Sequence, residues 1–200
     1  VKKIANWLHE QGISHLVTRE PGGTPISDGI RTILLDPENE NMRHETEVLL
    51  YAASRAQHVR EKIRPALDNN MVVLCDRFVD ASIAYQGYGL EMPLTDIEAI
   101  NHYATGGLSP NRTYLIDLPP EIGRKRLEAR MGKQAGASQL DRIEQKQISY
   151  HQRVREGFRR IYNSNKDRIL LIDGAQGEDA IFQVIKADLE NLLQDLKIKL

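Results

Sequence analysis

Asp76 and Arg77 place an acid and a cation directly after the apolar run Met71-Val72-Val73-Leu74-Cys75. A short apolar run of that kind reads as a buried strand, and open α/β sheets bind ligands at the carboxyl ends of their strands. A guanidinium at such an edge suits bidentate contact with phosphate. Ser82 and Gln86 follow at a spacing of four, which puts them on one face if the segment is helical. A hydroxyl, and an amide that both donates and accepts, can read the polar edge of a ring. The stretch 76–89 therefore offers an anion grip at one end and a reading face at the other.

Three further groups bear chemistry. Thr18-Arg19-Glu20-Pro21-Gly22-Gly23-Thr24 also follows a short strand pattern. Its glycines let backbone approach a ligand closely, while Arg19 and Glu20 add a cation and a carboxylate; the plain alternative is a turn punctuated by Pro and Gly. Tyr51 and Arg55 are four apart, so ring and guanidinium stack on one helix face and could cover a flat base. Otherwise they are a core tyrosine beside a surface arginine. Arg31 alone reads as a solvated helix arginine. The span 124–142 holds Arg124, Lys125, Arg126, Arg130, Lys133 and Arg142 around a polar middle. It is either a cover for phosphates or a solvated basic face.

These residues need elements to position them. Hydrophobic periodicity predicts helices over 2–11, 26–35, 45–67 (disturbed near Pro65), 120–130, 141–162 and 178–196. Another opens at Thr95, with Glu98 completing a capping box, and closes at Gly106-Gly107. Strands are expected over 13–18, 71–75, 113–118 and 169–173, with a polar loop over 36–42 and a mobile one over 131–140. The alternation of strands and helices argues for an α/β fold, a parallel sheet with helices on both faces. With no repeat or linker, residues 1–200 read as one domain.

Composition narrows the function classes. Of 200 residues, 40% are hydrophobic and 28% charged, and the net charge of -1 argues against nonspecific nucleic-acid binding. Cys75, the single cysteine, has no internal disulfide partner and reads as a small buried apolar residue. No run approaches the length of a membrane span and no secretory signal opens the chain, so a reducing cytoplasm is expected. The six histidines lack zinc-ligand spacing, and neither a G-x-S-x-G motif nor a G-x-x-x-x-G-K-S/T phosphate loop is found in these residues.

Together the motifs resemble the bacterial type of thymidylate kinase. That family carries T-R-E-P-G-G, then L-(F/Y)-A-A-x-R, then D-R-(Y/F/H)-x-x-S/T-x-x-A-Y-Q-G, and their counterparts stand at 18–23, 50–55 and 76–87 in that order, the last with three residues between Phe78 and Ser82. The resemblance implies a P-loop nucleotide-kinase fold and transfer of the γ-phosphate of ATP to dTMP, with Mg²⁺, for dTTP synthesis. It implies that Tyr51 stacks on thymine and that Arg55, Gln86 and Ser82 approach its edge. Arg77 would grip the dTMP phosphate, with Glu20 and Arg31 lining the acceptor pocket. Arg130, Lys133 and Arg142 fall in a lid region, 131–141 at its core, where one family type carries its catalytic arginine. Gln176 lies where the adenine-side loop belongs. A homodimer is implied by the resemblance alone.

The family begins with a central strand and a G-x-x-G-x-G-K-T/S loop that cradles the donor phosphates. Here Val1 falls inside the helix that follows that loop, and the first central strand is absent from these residues. An N-terminal extension of roughly 15–20 residues is therefore expected. A chain complete as written would have negligible turnover. That leaves two other readings, an inactive nucleotide-binding module and a related kinase with another acceptor.

Overall fold

The computed structural model describes residues 1–131 and 140–196, with the side chains of residues 130 and 131 excepted. Helix α1 (Lys2–Glu10) buries Trp7 and Leu8. Strand β1 (His15–Arg19) follows, and its carboxyl end leads into α2 (Pro25–Leu35). Thr24 caps α2 by accepting from the Ser27 N–H, and Pro25 occupies the first turn, where its missing N–H costs nothing.

The long helix expected over 45–67 is divided. It runs as α3 (His44–His58), widens into a π-turn over Val59–Ile63, and resumes as α4 (Arg64–Asp68). The disturbance lies just before Pro65, because a proline ring clashes with the carbonyl four residues earlier and removes one donor. Strand β2 (Val72–Asp76) comes next, then α5 (Val79–Ser82), continued as a π-turn over Ile83–Gly89.

Helix α6 (Leu94–Thr105) starts one residue before the expected point, and the Thr95–Glu98 capping box does not form. Pro93 sets the first turn, and its carbonyl accepts from Asp96 and Ile97, which leaves Thr95 inside the helix. Gly106 closes α6 in the left-handed region (φ 59°), as expected. Then come β3 (Thr113–Asp117), α7 (Pro120–Met131), α8 (Ile148–Ser164), β4 (Ile169–Asp173) and α9 (Glu178–Asp195). Helix α8 begins seven residues later than residue 141. The Asp141 carboxylate accepts from the Ile143 and Glu144 N–H groups while Glu144 accepts from the Asp141 N–H, closing a separate turn.

The strands are all parallel, which fits the α/β class, but they form two ladders rather than one sheet. β1 pairs with β2 in the register His15↔Val72 to Arg19↔Asp76, and β3 with β4 from Thr113↔Ile169 to Asp117↔Asp173. Among the described residues no ladder joins β2 to β3. Trp7, Leu8, Ile13, Leu189 and Leu193 form one core with Val72 and Leu74 of β2. Ala84, Ile143, Tyr150, Val154, Ile161 and Ile169 form the other, against Leu115 of β3. No helix among the described residues is long and apolar enough to cross a membrane.

Asp117 ties β3 to α8 by accepting from Arg155 at 2.7 and 2.8 Å. The Arg155 hydrogen bonds hold its carboxyl below the usual carboxylate range. A depressed folded pKa stabilises the fold above the unfolded value, near pH 4, and that stabilisation is lost as pH falls through the folded value. Asp117→Asn is expected to cost about 1–2 kcal/mol at neutral pH, with the gap to the parent closing below about pH 4 in urea unfolding. A gap that stays constant with pH would count against the ion pair.

Candidate acceptor site

The register of the first ladder sets Arg19 beside Asp76, so loops 19–25 and 76–79 emerge together at one edge. One more bond, from the Glu20 N–H to the Asp76 carbonyl at 2.9 Å, extends the pairing beyond the strands. The Glu20 side chain turns inward and is 4% exposed. It accepts from Arg55 Nε at 2.7 Å and lies 3.1 Å from His58 Nδ1, whose Nε2 is 2.6 Å from Thr18 Oγ1.

Helix α3 supplies most of this side. Glu47, Tyr51, Arg55 and His58 recur at spacings of four, four and three, so they share one face. Arg55 also donates through Nη1 to Asn101 Oδ1 in a short contact, and Asn101 Nδ2 donates to Ser82 Oγ at 3.2 Å. Glu20, Arg55 and Ser82 are thus joined, and the link is Asn101, a residue outside the sequence motifs. Glu47 makes the second link. It accepts from Gln86 Nε2 at 3.1 Å and lies 2.7 Å from Arg142 Nη2, in a charge contact rather than an aligned hydrogen bond. Arg142 also donates through Nε to the Leu34 carbonyl at 2.8 Å. Glu47, Arg55, Gln86 and Arg142 are all buried, so each charge requires its partner.

Arg77 differs. It is exposed and holds φ 66°, a left-handed conformation costly for a side chain with a Cβ. Its guanidinium lies 5.0 Å from the centre of the Tyr85 ring, which packs edge-on against Tyr150 and Phe158. Tyr51 is half-buried; burial, reinforced by the Glu47 charge, pushes its hydroxyl well above the usual range, so it stays neutral. Cys75 donates to the Arg77 carbonyl at 3.1 Å, and burial pushes its thiol up, which makes it a packing residue.

Arg31 is not merely solvated. It donates to the Pro21 carbonyl at 3.0 Å and ties α2 to the Gly-rich loop. Gly23 makes that loop possible at φ 97°, where a Cβ would lie 2.7 Å from both His58 Nε2 and Thr18 Oγ1. Gly23→Ala is expected to cost about 2–3 kcal/mol, by combining backbone strain with overpacking. Thermal unfolding would measure it, and an unchanged midpoint would contradict this packing.

The other expected residues stand apart. Gln176 is exposed on the turn after β4 and shares no bond with the acceptor groups among the described residues. Arg130 lies in the last turn of α7 with its side chain outside the described set, and Lys133 lies outside the described residues, as does most of the 131–141 segment. A cavity of about 410 Å³ lies between α6 and α8. It reaches Asn101 but not Arg77, Tyr51 or Gln86, so volume does not locate the site.

Parallel strands that deliver an exposed arginine and a buried polar cluster to one carboxyl edge define an α/β protein with a ligand-binding edge. The family model described as thymidylate kinase matches residues 1–185. The chain belongs to the thymidylate kinase family and is accordingly a nucleoside monophosphate kinase, a phosphotransferase. It is 49% identical over 177 residues to the thymidylate kinase of Geotalea uraniireducens, covering 88% of this chain and 83% of that one. It is 46% identical to that of Geotalea daltonii, over 90% of this chain and 84% of the relative. With the thymidylate kinase of Carboxydothermus hydrogenoformans it shares 44% over 192 residues, 96% of this chain and 90% of the relative.

Proposed function

We propose that this thymidylate kinase family member takes dTMP at the edge where β1 and β2 end, with Arg77 on its phosphate. The reaction is transfer of the γ-phosphate of ATP to dTMP, giving dTDP and ADP. One observation carries the reading of the site: Arg77 is exposed, held over Tyr85 and without an ion pair among the described residues, while Arg55 and Arg142 are committed to buried carboxylates and Arg19 pairs with Asp28. Tyr51 supplies the ring that stacks on thymine. Arg55, Ser82 and Gln86 form the polar wall beside it, and Glu20 and Arg31 fix that wall and the Gly-rich loop.

Phosphoryl transfer between nucleotides needs positioning and charge neutralisation more than a covalent nucleophile. The attacking atom is an oxygen of the dTMP phosphate, already ionised at neutral pH, so no general base is required. Through Glu47, Arg142 positions Gln86, which leaves Arg130 and Lys133 as the lid cations for the transferred group. Gln176 belongs to the adenine side. Residues 1–200 belong to one nucleotide-kinase domain, whose first central strand and P-loop are not among them, with its lid over 131–141.

Among the described residues no group of three or more His, Cys, Asp or Glu side chains could hold a metal. That suits Mg²⁺, which enters with nucleotide phosphates and needs only one or two carboxylates. Asp76, exposed and without an ion-pair partner among the described residues, is the carboxylate the edge provides. When bound, the ion would neutralise phosphate charge. A homodimer is supported by Ile26, Ile33 and Leu49, exposed apolar residues on the mutually packed α2 and α3. A cytoplasmic setting is supported by the single free cysteine.

ADP release measured with dTMP, dUMP, dCMP and dGMP as acceptors tests the assignment. The highest kcat/KM is expected with dTMP; a preference for the purine monophosphate would sink it.

A further inference from the structure

Asn101 of α6 is 2% exposed and sits between two groups of the acceptor wall. Its Oδ1 accepts from Arg55 Nη1, and its Nδ2 donates to Ser82 Oγ at 3.2 Å and to the Ile97 carbonyl at 2.7 Å. Chemistry fixes the orientation of this amide. Flipped, its NH₂ would face a guanidinium that can only donate, and its oxygen would face a carbonyl that can only accept.

The consequence passes to Ser82. A hydroxyl has one hydrogen and two lone pairs. The Asn101 amide uses a lone pair, so the hydrogen of Ser82 stays free, and among the described residues no protein acceptor takes it. Arg55 likewise offers only donors. We infer that Asn101 is a positioning and specificity-determining residue: it locks Arg55 against Ser82 and makes Ser82 a hydrogen-bond donor toward the nucleotide. The atom read at Ser82 must then be an acceptor, such as a ring carbonyl. Thymine has two carbonyls, whereas cytosine carries an amino group in place of one. The inference rests on the acceptor-site reading above.

Asn101→Asp tests the polarity. The carboxylate still accepts from Arg55 but no longer donates, so the Ser82 hydroxyl turns toward it and leaves lone pairs for the ligand. The ratio of kcat/KM for dTMP over dCMP is expected to fall about tenfold, the effect of one mismatched hydrogen bond. The change should appear mainly in KM, since an interaction made equally with substrate and transition state leaves kcat alone. Asn101→Ala frees the Ser82 hydroxyl either to donate or to accept, so it should raise KM for dTMP and lower the discrimination by less than Asn101→Asp does. Ser82→Ala, measured as well in case the Asn101 variants do not fold, should also lose discrimination. A parent enzyme that does not prefer dTMP over dCMP defeats the acceptor-site reading itself. A parent that does, with discrimination unchanged in Asn101→Asp or in Ser82→Ala, overturns this inference alone.

Discussion

Arg55→Ala lowers the stability of this protein by about 3–5 kcal/mol, because it strands the Glu20 carboxylate in a site from which water is excluded. Arg55 is 2% exposed and Glu20 is 4%, and their contact is 2.7 Å. For a chain of this size that loss corresponds to a melting midpoint lower by roughly 6–20 °C. The cost of removing one partner is not the worth of the pair. Replacing both, as Arg55→Met with Glu20→Gln, leaves no buried charge unpaired and should recover most of the loss. Chemical unfolding of the four proteins of this cycle gives the coupling directly. A double variant as unstable as the sum of the singles would deny that the two charges compensate each other. Arg55→Ala should also weaken dTMP use, since Asn101 and Ser82 lose their anchor.

Arg77→Gly separates stability from activity. The left-handed backbone at Arg77 is expensive for any residue with a Cβ and free for glycine. The substitution should therefore leave the fold as stable as the parent, or stabilise it by up to about 1 kcal/mol. It should also lower kcat/KM for dTMP by roughly 100- to 1,000-fold, the scale of a lost charged contact to phosphate. Strain retained at an exposed arginine is what a functional constraint looks like, and the two measurements check it jointly. Loss of both stability and activity would make Arg77 a folding residue, and retained activity would remove it from the phosphate.

Much of the fold was legible because its elements are local. The apolar run before Asp76 and the helical periodicities of α1, α2, α7 and α9 placed those elements to within one or two residues. The misplaced boundaries were cases where one side chain or ring outweighed the pattern. Pro93 moved the start of α6, and the Asp141 carboxylate folded residues 141–144 into a turn that periodicity reads as helix. The two separate ladders are what strand pairing gives when the first central strand is absent from these residues, as the motifs predict.

The site divides in the same way. Spacing alone put Tyr51 above Arg55, and Ser82 in phase with Gln86, and the strand-end position of Arg77 marked it as an anion grip. The same spacing extends to Glu47 and His58, a signal present in α3 that the motifs overshadowed. Asn101 gives no local signal at all. Its bond to Arg55 joins residues 46 apart in the chain, and the Glu20–Arg55 and Glu47–Gln86 contacts join residues 35 and 39 apart. The sequence by itself determined which residue types reach the strand edge and which share a helix face, since both follow from the backbone repeat. Only the tertiary structure decided which charges are buried against one another, and so left Arg77 exposed without an ion pair among the described residues, because burial and pairing depend on helices brought together across the chain.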